Sequence, residues 1–380
     1  MRFFHLADLH IGKNVAGFSL LEDQRHILHQ VAALVKEYTP KAVVLAGDIY
    51  DRTSPPAEAV RLYDSFLTEL AGQKTAVLAI AGNHDSPERL GFAGRLLQDS
   101  QVYSYGPFTG QAQVVTLEED GLLVDFHLLP FLRPATVRPF FPEENVESYL
   151  DAVRLALSAR PVTPGRPSVL VAHQFVTARG QTPQRSDSEV SSVGGLDEVD
   201  AGLFDAFSYV ALGHIHAPQR MGRQTVRYAG SPLKYSFSEK NHQKSLCMVD
   251  VQEGKVEITA LPLTPLRDMR EIGGPLDALL REEVAKEQNA EDYLRVVLTD
   301  ELEAPDAMGR LRHLYPNVME VVYENTRSRT QAGFPLLEER RQKSAQELFE
   351  EFYLTQNGLP LDSTQQELLQ GLLREGEVRL

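Results

Sequence analysis

The segment AVLAIAGNHD, residues 76–85, is an apolar run that ends abruptly in an amide, an imidazole and a carboxylate. Similar short runs, rich in β-branched residues, alternate along the chain with segments of helical spacing at 22–38, 55–72 and 145–160. This alternation predicts an α/β fold, in which ligands bind beyond the carboxyl ends of the strands. Asn83, His84 and Asp85 stand at such an end.

Four other apolar runs also end in side chains that can bind a metal. They are FFHLADLH (3–10) with Asp8 and His10, AVVLAGD (42–48) with Asp48, SVLVAH (168–173) with His173, and YVALGHIH (209–216) with His214 and His216. This mixture of oxygen and nitrogen donors favours Mn, Fe or Zn over Ca. Two ions about 3.5 to 4 Å apart can hold a phosphoryl group between them and activate water. The five strand ends therefore predict hydrolysis of a phosphoester.

His84 is predicted to have a role of its own. Neighbouring residues at a turn point in different directions, so Asn83 can bind a metal while His84 faces the leaving-group oxygen, where it could stabilise charge or deliver a proton. A histidine in this role usually needs an acceptor on its other ring nitrogen. We expect Asp51 to supply that acceptor and Asp85 to hold the turn.

The composition excludes several other classes of protein. No apolar run among the 380 residues approaches the roughly 20 that a membrane span needs, and we expect a cytoplasmic protein. Cys247 is the sole cysteine, which excludes disulfides within the chain and metal sites built from several cysteines. The net charge of −15 argues against coating nucleic acid by general electrostatics.

The rest of the chain predicts further parts. Strand-like segments at 112–117, 122–129, 225–229, 245–251 and 255–261 suggest a second sheet or a β-hairpin extension. The Pro-rich stretch ALPLTPLRD (260–268) indicates a boundary, and a small α/β domain follows it. The predicted division is 1–263, 264–330 and 336–380. The last part reads as a helical hairpin, which composition alone favours as folded onto its own protein, with docking of a partner as the alternative.

Five short motifs in this order resemble those of the calcineurin-like metallophosphoesterases: DLH (8–10), GDIYD (47–51), GNHD (82–85), AHQ (172–174) and GHIH (213–216). Two longer stretches, SDSEVSSVGGLDEVDAGLFDAFSYVALGHIHAPQ (186–219) and YAGSPLKYSFSE (228–239), are similar to the SbcD family of bacterial exonuclease subunits. That family is related to the archaeal and eukaryotic double-strand-break repair nucleases. The resemblance implies a metallophosphoesterase β-sandwich flanked by helices, a small α/β cap domain that binds DNA, and a C-terminal helical hairpin.

The resemblance also implies the activity and the metal ligands. The activity would be 3′–5′ double-strand exonuclease and single-strand endonuclease cleavage in DNA repair, replication and recombination. One ion would be bound by Asp8, His10, Asp48 and His216, and the other by Asp48, Asn83, His173 and His214, so that Asp48 bridges them. Manganese is the expected ion, with Mg²⁺, Fe²⁺ and Zn²⁺ as alternatives. His84 matches the family's catalytic histidine, which is not a ligand.

Partners follow from the same resemblance. The tail would dock on an SbcC-type ABC ATPase through Leu348, Phe349, Phe352, Tyr353, Leu369 and Leu372. The substrates would be double-stranded DNA ends and hairpins. A homodimer within a heterotetramer is also implied, and segments 55–72 and 87–98 are its candidate contacts, although both equally suit core helices.

A basic stretch follows the last pair of predicted ligands. Between 217 and 244 a single acid, Glu239, accompanies six basic residues: Arg220, Arg223, Arg227, Lys234, Lys240 and Lys244. The first five are candidate DNA contacts; the alternative is a solvated β-hairpin.

Two other functions remain open. GDIYDR, which ends in Arg52, also occurs in phosphoprotein phosphatases, so a calcineurin-like phosphatase or cyclic-nucleotide phosphodiesterase is one alternative. A non-catalytic DNA-end scaffold is the other.

Overall fold

The computed structural model of the protein describes residues 1–189, 197–287 and 289–325, together with 346–347, 349–350, 353–354, 360–362, 365–366 and 368–369. The chain divides into two compact units, Met1–Met269 and Arg270–Leu380. The α-helices are Leu21–Tyr38, Ala57–Gly72, Pro87–Leu90, Gly94–Leu97, Pro134–Val137, Tyr149–Ser158, Leu276–Leu279, Glu282–Glu287 and Ala307–Arg312. Short 3-10 turns cover Gln98–Ser100, Arg138–Phe140, Ala201–Phe204 and Phe237–Glu239. None of the described helices is both long enough and apolar enough to cross a membrane.

Two six-stranded sheets make up most of the first unit among the described residues. The first sheet runs in the order Lys255–Pro262, Ser245–Gln252, Arg2–Leu6, Ala42–Ala46, Ala76–Ile80 and Val102–Tyr105. The second runs Gln219–Met221, Arg223–Tyr228, Tyr209–Gly213, Ser168–His173, Leu122–Leu129 and Gln113–Glu119. Short pairs, Phe175–Thr177 with Glu198–Asp200 and Asn14–Val15 with Phe18–Ser19, lie outside them. In each sheet, four neighbouring strands are parallel. An antiparallel hairpin completes one edge of the first sheet, and one antiparallel strand completes each edge of the second.

The two sheets pack face to face around a shared apolar core. Phe3 of the first sheet contacts Phe126 and Tyr209 of the second, with ring centroids 5.2 and 5.7 Å apart in edge-to-face geometry. All three rings are fully buried. The near-continuous burial of the central strands explains why their sequences are apolar runs and not alternating patterns. The first unit is therefore a β-sandwich.

Helices cover the sandwich where helical spacing predicts them. The segments 22–38 and 55–72 are the helices Leu21–Tyr38 and Ala57–Gly72, each of which buries one apolar face. The third segment, predicted at 145–160, is shorter, Tyr149–Ser158, because Ser148 and Asp151 form a reciprocal capping box that fixes its start. This helix packs on the outer face of the second sheet.

The later strands are expected to form a second sheet or a β-hairpin extension, but the structure divides them between the two sheets. Strands Gln113–Glu119, Leu122–Leu129 and Arg223–Tyr228 do belong to the second sheet, but the hairpin of Ser245–Gln252 and Lys255–Pro262 joins the first. It pairs antiparallel with the N-terminal strand, where Arg2 lies opposite Asp250. A hairpin pattern in sequence does not contain this information, because pairing with residues almost 250 positions away is decided by tertiary packing.

The second unit has its own small core. Strands Met269–Gly274, Tyr293–Leu298 and Val318–Tyr323 form a three-stranded sheet. Short helices, Leu276–Leu279, Glu282–Glu287 and Ala307–Arg312, accompany it and bury Leu279 and Leu311 against Leu294. The alternating strand and helix pattern of this region predicts such a fold. The pattern also predicts one helix over 275–288, where the structure has the two short helices Leu276–Leu279 and Glu282–Glu287. The division into three parts at 263/264 and 336 stays a prediction.

The described residues of the tail are helical at 346–347, 349–350, 353–354, 365–366 and 368–369. Tyr353 Oη accepts a hydrogen bond from Gln365 Nε2 at 2.9 Å, which connects the two helical stretches. Asp362 and Gln365 cap the second one reciprocally, at 2.9 and 3.0 Å. Of the residues predicted to dock a partner, Leu348, Phe352 and Leu372 lie outside the described residues.

Candidate metal centre

The five predicted strand ends meet at one edge of the sandwich. Strands Arg2–Leu6, Ala42–Ala46 and Ala76–Ile80 are parallel neighbours in the first sheet, and Ser168–His173 and Tyr209–Gly213 are parallel neighbours in the second. Their carboxyl ends therefore point the same way within each sheet. The structure brings together all seven residues predicted to bind metal: Asp8, His10, Asp48, Asn83, His173, His214 and His216.

Asp48 lies in the middle of this cluster. Its Oδ2 atom is 3.4 Å from His173 Nε2 and 3.6 Å from His10 Nε2. The other oxygen, Oδ1, accepts the backbone N–H of His84 at 2.8 Å. Burial opposes ionisation of this carboxyl, but the His173 imidazole beside it prevails and lowers the pKa of Asp48 well below its usual range. Asp48 is thus an anion placed between two imidazoles.

One side of Asp48 holds Asp8, His10 and His216. Potential ligand atoms of these three residues lie within 4.8 Å of one another, and all three side chains are buried. The Nε2 atoms of His10 and His216 are only 3.2 Å apart. Both oxygens of Asp8 accept the backbone N–H of His214, at 2.9 and 3.2 Å. Burial raises the pKa of Asp8 to about 7. The positive charge around this carboxylate therefore does not compensate for its loss of hydration, which a bound cation would do.

The other side holds Asn83, His173 and His214. Asn83 Oδ1 is 3.0 Å from His173 Nε2 and 2.9 Å from His214 Nδ1. The opposite nitrogen of His173, Nδ1, donates to the main-chain oxygen of Ala46 at 2.8 Å. This bond fixes the orientation of the ring, so that Nε2 faces the cluster and is the atom available to a metal ion. Although burial opposes it, the Asp48 carboxylate raises the pKa of His173 to about 9, so a metal ion bound there would displace a proton from Nε2.

These donors fit divalent metal ions. Imidazole nitrogens, carboxylates and an amide oxygen converge here, and all three are atoms that bind divalent transition-metal ions. Burial lowers the pKa of His10, and it lowers that of His214 to about 3, so both rings are neutral and able to ligate. Asp8, Asp48 and His173 also form a group whose ligand atoms lie within 4.8 Å of one another. The arrangement therefore suits two ions on either side of Asp48.

The backbone at the cluster is strained. Asp8, His10, Asp48 and His214 all have positive φ, at 55°, 43°, 50° and 100°. Such conformations cost on the order of 1–3 kcal/mol each for residues other than glycine, and they tend to persist at functional sites. The rest of the fold holds these four side chains in place against their local preference.

Gly82 shows how closely the loops approach each other. A Cβ atom built at this position would lie 2.1 Å from Asp48 Oδ1 and 2.3 Å from its backbone nitrogen. Only glycine can therefore stand beside Asp48, as the sequence position of Gly82 before Asn83 suggests.

His84 is oriented by Asp51, though not by its carboxylate. His84 Nδ1 donates to the main-chain oxygen of Asp51 at 3.0 Å. The Asp51 carboxylate instead accepts from Lys13 Nζ at 2.7 Å and lies 3.6 Å from His10 Nδ1. The expectation that Asp51 supplies the acceptor is met by a different atom, because the loop turns its carbonyl toward His84 and its side chain toward Lys13.

This difference predicts the effect of Asp51→Asn. The substitution keeps the carbonyl that orients His84, so we expect turnover to fall by less than about tenfold, well short of the 10²- to 10⁴-fold contribution typical of a general acid or base. Steady-state cleavage kinetics beside those of His84→Ala would measure it. Equal losses in the two variants would show that the carboxylate itself takes part in the reaction.

Asp85 holds the turn by more contacts than its position in the sequence suggests. Its carboxylate accepts the backbone N–H groups of Ile49, Tyr50 and Gly82 at 3.1, 2.9 and 2.9 Å. The buried side chain therefore ties the loop after one strand to the loop after its neighbour. It keeps Asp48 and Asn83 in register with each other.

The five basic residues predicted to contact DNA differ in how available their side chains are to a phosphate. Arg223 donates to the main-chain oxygens of Phe204 and Phe207 at 2.8 and 2.7 Å, and Lys234 is paired with Asp268 at 2.8 Å. Arg220 is exposed on the edge strand Gln219–Met221. Arg227 and Lys240 are half-buried. Much of the charge in this stretch thus serves the fold itself.

Several residues at the centre are missing from the sequence prediction. Tyr235 packs edge-on against His10 and His216, with centroids 5.5 and 5.6 Å apart, and its hydroxyl donates to the Leu9 carbonyl at 2.6 Å. Lys244 and Glu239 form a buried ion pair at 2.6 Å behind His216. The lone acid in a basic stretch was a signal for this pair, but the stretch reads equally as a solvated surface.

Two family models match the chain. The calcineurin-like phosphoesterase model matches residues 1–218, more than half of the 380 residues. A second model, described as the type 5 capsule protein repressor C-terminal domain, matches residues 265–357.

One relative and two solved structures are similar to the chain. The SbcD protein of the SbcCD nuclease from Staphylococcus epidermidis is 30% identical over 383 residues, covering 98% of this chain and 98% of its own. Among solved structures, a dimetal phosphatase from Danio rerio is 12% identical with a TM-score of 0.42 and covers 70% of this chain and 98% of its own. Protein TT1561 of Thermus thermophilus is 13% identical with a TM-score of 0.39 over 68% and 98%. On the match of the calcineurin-like phosphoesterase model to residues 1–218 and the similarity to the Staphylococcus epidermidis protein, the chain belongs to the calcineurin-like phosphoesterases, in the SbcD family of nucleases.

Proposed function

We propose that the protein is the nuclease subunit of an SbcCD-type complex and hydrolyses phosphodiester bonds of DNA at a site for two divalent ions. The observation that carries this proposal is the position of Asp48, whose Oδ2 lies 3.4 Å from His173 on one side and 3.6 Å from His10 on the other. A single carboxylate with a set of donors on each side is what two ions that share a ligand require.

The ions and the side chains divide the reaction between them. When bound, two divalent ions polarise the phosphate and lower the pKa of water enough for it to attack at neutral pH. Asp48 and Asn83 fix the geometry of the site, since both are tied to neighbouring loops by Asp85. His84 holds its Nδ1 on the Asp51 carbonyl and presents its other nitrogen for the leaving oxygen. Manganese is the ion that we propose.

A phosphatase could use the same centre, so the choice of substrate rests on the rest of the chain. A phosphatase core needs only the sandwich, which the calcineurin-like phosphoesterase model covers at 1–218. The similarity to the Staphylococcus epidermidis SbcD protein extends over 98% of the chain and so includes the second unit and the tail. These additional parts support DNA ends and hairpins as substrates and an SbcC-type ABC ATPase as partner. A cytoplasmic location accords with this role.

The test is a cleavage assay on labelled linear and hairpin duplex DNA with manganese, with and without the ATPase partner. We expect degradation that requires the metal and stops on chelation. Labels at opposite ends would give the polarity, proposed as 3′–5′. Rapid turnover of small phosphomonoesters with no DNA cleavage under any condition would instead support the phosphatase, and retention of biological function by His84→Ala would support the scaffold.

The tail supports the ATPase as partner. Phe349, Leu354 and Leu368 are 43%, 47% and 67% exposed on its described helical residues, while Leu369 is buried. Exposed apolar side chains in a helical segment are typical of docking surfaces. We propose that Phe349 and Tyr353 belong to this surface together with Leu348, Phe352 and Leu372. Leu369, which the sequence also predicts as a contact, is buried and is left out of this surface. Residues Arg220, Arg227 and Lys240 remain our candidates for contact with the DNA backbone.

We further propose that the protein forms a homodimer, within a heterotetramer with the ATPase, through the segment after His84. Phe92 and Leu96 are 80% and 77% exposed there, and Val60 of the helix Ala57–Gly72 is 44% exposed. Apolar side chains this open on a folded unit favour a self-complementary contact.

Phe92→Asp is therefore expected to convert the dimer into a monomer without unfolding it. Light scattering after gel filtration would give the mass, and Leu123→Asp, which changes a 40% exposed leucine elsewhere on the first unit, is the matched control. A Phe92→Asp protein that remains dimeric would contradict this contact.

A further inference from the structure

His216, one of the predicted metal ligands, is held by a side chain from a distant loop. Its Nδ1 atom lies 2.7 Å from the hydroxyl of Ser188, and that hydroxyl is also 2.7 Å from Glu239 Oε1. Glu239 is completely buried and forms an ion pair with buried Lys244. A line of hydrogen bonds thus leads from the metal centre to a buried lysine.

Which atom donates in each of these hydrogen bonds follows from Lys244 at the buried end of the line. Lys244 donates all three of its protons, to Glu239 Oε2 at 2.6 Å, Ser231 Oγ at 2.8 Å and the His216 carbonyl at 3.0 Å. Glu239 faces this cation. Its Oε2 lies 2.6 Å from the Lys244 ammonium, and its Oε1 also accepts the Ser236 hydroxyl at 3.2 Å and the Tyr235 backbone N–H at 3.3 Å, so Glu239 is a carboxylate.

The ionised Glu239 can only accept hydrogen bonds, so the Ser188 hydroxyl must donate to it. The single proton of that hydroxyl is then used, and Ser188 can only accept from His216. His216 must therefore carry its proton on Nδ1. Its other nitrogen, Nε2, keeps a lone pair and lies 3.2 Å from His10 Nε2, inside the cluster.

The rings of His173 and His216, on the two sides of the centre, are held by different parts of the fold. His173 is fixed by the main-chain oxygen of Ala46, which belongs to a central strand. His216 depends instead on the loop that contains Ser188. The same loop makes a second contact, since Glu189 Oε1 accepts the His216 backbone N–H at 2.8 Å and the Ser186 hydroxyl at 2.8 Å.

We propose that Ser188, backed by Glu239 and Lys244, is a positioning residue that sets the tautomer and ring orientation of His216 for one of the two metal ions. The inference rests on the proposed function and adds a dependence that is specific to one ion. Binding of the ion on the His10 side depends on the Ser188 hydroxyl. Binding of the ion on the His173 side does not.

The test is manganese binding to the full-length protein, measured by titration with electron paramagnetic resonance detection of free Mn²⁺. Loss of a side chain that orients a metal-bound histidine typically weakens metal affinity by about 10- to 100-fold. We expect Ser188→Ala to weaken one of the two binding sites to this extent and to leave the other unchanged. Ser188→Thr, which keeps the hydroxyl, should bind both ions as the wild type does.

Ser238→Ala is the matched control. Ser238 accepts the backbone N–H of Asp187 at 3.0 Å and so holds the same loop to the turn Phe237–Glu239, but it does not contact His216. Thermal unfolding of the metal-free proteins would establish that all variants fold. Equal loss of affinity in Ser188→Ala and Ser238→Ala, or two unchanged sites in Ser188→Ala, would overturn the inference. A wild type that binds no pair of ions and cleaves no DNA would refute the proposed function instead.

Discussion

His84→Ala is expected to reduce DNA cleavage sharply while two manganese ions stay bound. General acid or base groups contribute about 10²- to 10⁴-fold to the rate, and turnover should fall within this range. The reason is geometric: His84 is anchored through Nδ1 to the Asp51 carbonyl, so its other nitrogen is held at the centre for a proton or a developing charge. The contact of this loop with Asp48 comes from the backbone N–H of residue 84 and survives in alanine.

Counting the bound metal ions in His84→Ala distinguishes a role of His84 on the substrate from a role as a metal ligand. His84, His10 and Asp48 also form a group whose ligand atoms lie within 4.8 Å of one another, so the geometry alone permits His84 to bind an ion. A variant that is inactive but binds two ions places His84 on the substrate. Loss of one ion would make it a ligand and contradict the assignment. His29→Ala, at a histidine whose side chain is 67% exposed, is the matched control.

Asp48→Asn is expected to remove both ions and reduce cleavage to background. The amide keeps the shape of the side chain but loses the negative charge between His10 and His173. Because both sets of donors share this one carboxylate, a single substitution should weaken both sites, whereas a change at Asn83 or His216 should affect mainly one. Inductively coupled plasma mass spectrometry after dialysis would count the ions retained.

Thermal unfolding gives an independent measurement on Asp48→Asn. A ligand at a hundredfold excess over its dissociation constant adds about 2.7 kcal/mol of stability per site. Manganese should therefore raise the melting temperature of the wild type but not that of Asp48→Asn. Asp64→Asn, at an exposed aspartate on the helix Ala57–Gly72, should respond as the wild type does. A manganese-dependent rise in Asp48→Asn would show that Asp48 is not shared by the two sites.

The sequence carries the fold because most of its signals are local. The apolar runs that end in Asp48, Asn83 and His173 are strands whose ends meet, and the helix predicted at 22–38 is Leu21–Tyr38. The α/β class is confirmed. The small second domain follows in the same way from alternating strand and helix patterns.

Features decided by tertiary contacts could not be predicted. Whether Asp51 turns its carbonyl or its carboxylate to His84 depends on Lys13, 38 residues away. Whether Lys244 is a surface cation or a buried one depends on Glu239, Ser231 and the His216 carbonyl meeting around it. A pattern of charges along the chain cannot distinguish these outcomes, since the desolvation that separates them is a property of the folded neighbourhood.

The pairing of the N-terminal strand with Ser245–Gln252 has a consequence for synthesis of the protein. The side chains of the metal centre begin at Asp8, but the first sheet gains its last two strands only with residues 245–262, and Lys244 comes just before them. A chain still emerging from the ribosome thus has neither the complete first sheet nor the support for His216. The order of elements along the chain delays a DNA-cutting centre until the whole sandwich has been made.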